Sequence, residues 1–126
     1  MRVLIADDHK FVRDTLRALL TEQQPHWELS EASNGNEAVE LVRKTAPEVV
    51  VLDIVMPDLG GVAAAFEIQQ LAPETKIVFI SSHYTGGEAS VITHLLGTGA
   101  FVQKAETGKL LIPTIKRLLN EEGQPV

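Results

Sequence analysis

Five side chains stand where a short apolar run gives way to polar chain. Asp7 and Asp8 follow Val3-Leu4-Ile5-Ala6, and Asp53 follows Val49-Val50-Val51-Leu52. Ser81 closes the run at 76–80, and Lys104 closes the run at 100–103. If the first and third runs are neighbours, three carboxylates converge on one pocket. Three anions so close repel one another and call for a cation. Oxygen ligands on a rigid edge suit Mg²⁺, which takes one or two carboxylates and keeps several waters. An ammonium and a hydroxyl on the other side suit a phosphoryl group.

The elements that must position these groups alternate. Residues 3–6 and 49–52 are continuous apolar runs, and the second is β-branched, the pattern of a strand covered on both faces. Residues 27–32 alternate weakly, and 76–80 and 100–103 complete a set of five strands. Between them lie helical patterns. At 10–23, Phe11, Val12, Leu16, Leu19 and Leu20 form an apolar stripe, and Pro25 follows. After an Asn34-Gly35 turn, Ala38, Val39, Leu41 and Val42 repeat at helical spacing to Lys44. Further helices are expected at 62–71, at 88–96 between Gly86-Gly87 and Gly97, and at 109–120, the last with Leu110, Leu111, Ile115, Leu118 and Leu119 on one side. Strands separated by helices of this length pair in parallel through right-handed crossovers. The expected fold is α/β, one open (βα)5 sheet with helices on both faces.

Composition agrees with one such domain. The chain has 126 residues, 44% apolar and 22% charged, with 11 basic against 17 acidic residues, so the formal net charge is 11 − 17 = −6. This length buries a single core. The absence of cysteine excludes a disulfide framework. No apolar run approaches the ~18 residues of a membrane span, so no membrane contact is expected. An acidic chain without a basic block is a poor ligand for nucleic acid. Met1-Arg2 leads at once into Val3–Ala6 and acids, which is no signal peptide. The cytoplasm is therefore the expected location.

Taken together, Asp7-Asp8, Asp53 with Met56-Pro57 and Gly61, Ser81 and Lys104 resemble the response-regulator receiver domain of two-component systems, over nearly the whole chain. The run Ile5-Ala6-Asp7-Asp8-His9 with Arg13 also resembles the nitrate-response and nitrogen-fixation subfamily, whose members carry a LuxR-type helix-turn-helix after the receiver. The resemblance implies a flavodoxin-like sheet of order 2-1-3-4-5, with the first and third strands at the switch point. It implies Asp53 as acceptor of a phosphoryl group from a sensor histidine kinase. It implies Mg²⁺ on Asp8, Asp53 and the main-chain carbonyl of Val55, with Asp7 acting through water. Lys104 would pair with a phosphoryl oxygen, Ser81 would move to hydrogen-bond to it, and Phe101 would turn inward as the switch. Catalysis would be limited to the chain's own phosphorylation and dephosphorylation. The expected division is a receiver at 1–122 and the start of a linker at 123–126. The linker would lead to an output domain that binds DNA, with homodimerisation on phosphorylation.

Each residue has a plainer reading alone. Asp7-Asp8 fits a helix cap, Ser81 an N-cap, Lys104 a solvated edge charge, and Phe101 ordinary core. His9, His26 and His94 carry no assigned chemistry, and His83 lies near the expected pocket. The chain departs from the family with Ser81 for the commoner Thr, Phe101 for Tyr, and Ala105 where Pro is frequent. An aspartyl-phosphate phosphatase of the haloacid dehalogenase kind needs an acid two residues after its nucleophile, and Val55 stands there. A nucleotide-binding module fails because Gly97-Thr98-Gly99 precedes a strand and no Walker loop exists. The alternative that survives is a phosphate-independent pseudo-receiver, an interaction module.

Overall fold

A computed structural model describes residues 1–82 and 99–123. The helix expected at 88–96, His83, His94 and residues 124–126 lie outside the described residues. The elements run β1 (Arg2–Ala6), α1 (Lys10–Gln23), β2 (Glu28–Ala32), α2 (Gly35–Thr45), β3 (Val49–Asp53), α3 (Gly61–Leu71), β4 (Lys76–Ser81) and β5 (Ala100–Gln103). A 3-10 turn at Lys104–Glu106 then leads into α4 (Thr107–Gly123).

The five strands form one parallel sheet of order β2-β1-β3-β4-β5, as expected. Ala6 pairs with Ala32 on one side and Leu52 on the other, so β1 and β3 end side by side. Every residue of β3 is buried. Alternate side chains of such a strand face opposite layers. Val50 and Leu52 join Leu4, Ile77 and Phe79 under α2 and α3, whose Val39, Val42, Ala64 and Ile68 close that layer. Val49 and Val51 join Val3, Ile5, Val78 and Ile80 under α1 and α4, with Leu16, Leu20, Leu111 and Ile115.

The structure departs from the sequence pattern at three places. Asn34 does not belong to a free turn: its Oδ1 accepts from Glu37 N at 2.8 Å, so it caps a helix that begins at Gly35, not Ala38. Turns and N-caps favour the same short polar residues, which is why the pattern misplaces this start. Phe11 is 81% exposed and leaves the apolar stripe of α1 to Leu16 and Leu20, with Val12 and Leu19 partly covered. It lies nine residues before Leu20, about two and a half helical turns, so it points to the opposite side of α1. Leu110, grouped by pattern with the buried side of the last helix, is 42% exposed. That helix also runs longer than 109–120, and it encloses Pro113.

Candidate functional site

β1 and β3 end together, and the chain at each end carries the acids. Asp7 is fully buried and Asp53 is 2% exposed, whereas Asp8 reaches solvent. One ligand atom from each of Asp7, Asp8, His9 and Asp53 lies within 4.8 Å of the others. The convergence expected from strand neighbours is therefore present.

Two devices hold Asp53. Val55 N donates to Asp53 Oδ1 at 3.3 Å, which turns the chain after β3 back on itself. Gly61 lets α3 begin against Asp53: a Cβ there would stand 2.0 Å from the Asp53 carbonyl oxygen. Only a residue without a side chain fits.

Lys104 enters from the 3-10 turn after β5. Its Nζ lies 2.9 Å from Asp7 Oδ2 and 3.2 Å from Asp53 Oδ2, and its side chain is 16% exposed. Burial works to lower the Lys104 pKa, but the close contact with Asp7 and the charges of Asp53 and Asp7 raise it overall. Asp53 is pushed above the ordinary carboxylate range by burial first and by the Asp7 charge second, with Lys104 and the Val55 amide opposing. One ammonium thus serves two buried carboxylates.

Ser81 ends β4, fully buried, one residue beyond the Ile80 that pairs with Asp53. Phe101 is half-buried on β5 opposite Phe79 and packs against the layer under α2 and α3. Val55 is 46% exposed in the loop after β3. No peptide bond among the described residues is cis, in keeping with Ala105 after Lys104.

Two further groups touch this site, and the sequence pattern gives neither of them any chemistry. His9 N donates to Asp7 Oδ1 at 2.9 Å, and His9 Nδ1 stands 3.2 Å from both Asp7 Oδ1 and Asp8 Oδ1. Arg13 donates to the Asp7 carbonyl at 2.8 Å. Its place five residues after Asp8, just over one helical turn into the following element, is the signal that could flag it.

The donor set fits a hard divalent cation. It is all carboxylate oxygen apart from one imidazole, and it sits on rigid strand ends. Asp7 Oδ2 is buried without a well-formed hydrogen bond, with the Lys104 ammonium beside it. The arrangement can bind a cation beside a buried carboxylate nucleophile and hold an anionic group on Lys104.

The chain is similar to known proteins in sequence and in fold. The sequence profile of the response regulator receiver domain matches residues 3–116. The chain is 34% identical over 119 residues to the transcriptional regulatory protein DegU of Brevibacillus brevis, covering 92% of this chain and 49% of DegU. It therefore spans about half of that relative. It is 36% identical to the chemotaxis protein CheY of Thermotoga maritima, covering 79% of each. A LuxR-family two-component response regulator from Aurantimonas sp. SI85-9A1 superimposes with a TM-score of 0.85 at 30% identity, over 95% of this chain and 85% of that one.

Proposed function

This chain belongs to the response regulator receiver domain family, and on that premise we propose that it accepts a phosphoryl group on Asp53 from the phosphohistidine of a sensor kinase. A carboxylate oxygen of Asp53 bonds to phosphorus as the phosphorus–nitrogen bond of the donor breaks, leaving an acyl phosphate and a free imidazole. The observation that carries this reading is the contact set of Asp53: buried, 3.2 Å from Lys104 Nζ, and clustered with Asp7 and Asp8.

Asp8, Asp53 and the main-chain carbonyl of Val55 would hold Mg²⁺, with Asp7 acting through water. Bound there, the ion would neutralise charge gathering on the transferring oxygens. The chain's own groups do the rest. Lys104 favours the anionic form of Asp53 against burial and then pairs with a phosphoryl oxygen. Ser81 donates its hydroxyl to a second oxygen. Phe101 follows Ser81 inward, so the surface around β5 reports the charge at Asp53. Catalysis is confined to the chain's own phosphorylation and dephosphorylation.

Residues 1–122 are the phosphoacceptor module, and 123–126 begin a linker. The likeness to DegU, a transcriptional regulatory protein, over half of its length supports a transcription-regulating output in a longer protein; DNA binding through that output and dimerisation on phosphorylation complete the reading. Among the described residues no helix is long and apolar enough to cross a membrane, and we place the protein in the cytoplasm.

The test is intact mass after incubation with acetyl phosphate, with and without Mg²⁺, beside Asp53→Asn. One phosphoryl group gained only with Mg²⁺ and lost in the variant supports the reading. No gain in the folded wild type assigns the chain to the pseudo-receivers.

A further inference from the structure

We propose that Arg13 is a positioning residue for the acidic site, acting through the main chain of Asp7. Asp7 lies just past the last paired residues of β1, Ala6 with Ala32 and Leu52. Its N–H still reaches Ala32 O at 3.1 Å. Its carbonyl turns to α1 instead, and Arg13 donates to it at 2.8 Å. That carbonyl belongs to the peptide unit joining Asp7 to Asp8. Fixing it fixes the direction from which both carboxylates leave the backbone.

Arg13 is itself held. Its Nε donates to Glu31 Oε1 at 3.0 Å, and Arg17 Nε donates to the other oxygen, Oε2, at 2.5 Å. Glu31 sits on β2, beside β1 in the sheet, so its carboxylate spans two turns of α1. The two arginines hold the Glu31 carboxyl below its ordinary pKa, led by the hydrogen bond from Arg17, with burial opposing them. The Arg13 side chain is only 16% exposed. A planar guanidinium can serve Glu31 and a carbonyl together from fixed directions, which an ammonium on a flexible stem does not reproduce. Arg17 shares Glu31 but reaches the Leu29 carbonyl, not Asp7. The same network thus contains its own control.

The inference rests on the proposed cation site. Groups that orient metal ligands from behind typically change affinity by ~10–100-fold when removed. The experiment titrates Mg²⁺ into wild type, Arg13→Met, Arg13→Lys and Arg17→Met, reading amide chemical shifts, with thermal midpoints taken without Mg²⁺. Arg13→Met and Arg13→Lys are expected to bind Mg²⁺ ~10-fold more weakly, and Arg17→Met within about 2-fold of wild type. Arg13→Lys keeps the charge, so it also guards against a fold too weakened in Arg13→Met. A merely structural arginine would lower the midpoints of both arginine sites and leave the Mg²⁺ affinities together. Equal affinity in wild type and the Arg13 variants overturns this inference alone, as does equal weakening in Arg17→Met. A tighter site in Arg13→Met overturns it too, since that is the result of simple charge repulsion. Absence of saturable Mg²⁺ shifts in wild type overturns the cation site and this inference with it.

Discussion

Lys104 Nζ lies 3.2 Å from Asp53 Oδ2, so the Asp53 carboxylate rests directly on an ammonium delivered from the end of β5, two strands away. The same nitrogen is 2.9 Å from Asp7 Oδ2. Lys104→Met leaves two buried carboxylates without their shared cation. Breaking a buried pair on one side typically costs ~3–5 kcal/mol. The variant should unfold well below wild type, and added Mg²⁺ should raise its thermal midpoint by more than it raises that of wild type. Calorimetric scans with and without Mg²⁺ check both statements.

Asp53→Asn should move stability the other way. The folded-state pKa of Asp53 is raised by burial and by Asp7. A carboxyl so raised binds its proton more tightly when folded. Its favourable contribution is complete below its unfolded value, near 3.8, and is lost as pH rises through the folded value. Wild type therefore carries an unfavourable charge at neutral pH that the amide does not. A gain on the order of 1 kcal/mol is expected for the amide at pH 7. Denaturant unfolding should show the gap between the two proteins closing as pH falls through that window. Acetyl phosphate labelling of wild type should also fade at a higher pH than an ordinary carboxylate would allow.

Gly61→Ala tests how the end of β3 is seated. The new methyl would stand 2.0 Å from the Asp53 carbonyl, a backbone atom that cannot swing aside. A loss of about 3 kcal/mol is expected, with labelling of Asp53 slowed in the fraction that folds. Gly108→Ala is the matched control. A Cβ there meets nothing within 4 Å, early in α4, so a gain of about 0.5–1 kcal/mol is expected.

Phe11→Ser should leave stability within about 0.5 kcal/mol of wild type, because the ring is 81% exposed. Leu16→Ala, five residues along the same helix and 1% exposed, should cost about 2–5 kcal/mol. Urea midpoints for the pair decide which face of α1 is core.

The sheet is legible in the sequence because Val49–Leu52 and its fellow runs are short and apolar between helical repeats. Asp7, Asp53, Ser81 and Lys104 are legible because each terminates such a run, and parallel strands bring like ends together. Phe11 is not, because its apolar type suggests burial although it stands about half a turn round α1 from Leu20, on the solvent side. The start of α2 is ambiguous because Asn34-Gly35 signals a turn and a cap with the same chemistry. Glu31 leaves no local pattern, since its partnership with Arg13 joins β2 to α1 across 18 residues.

Asp53 and the ammonium of Lys104 that it contacts are separated by 51 residues. A chain emerging from a ribosome could close β1, β2 and β3 and display all three carboxylates well before Lys104 is free to reach them. Such a partial protein holds three carboxylates without the ammonium that two of them share. The buried charge at this edge is therefore balanced only when the last strand docks, which ties completion of the site to completion of the sheet.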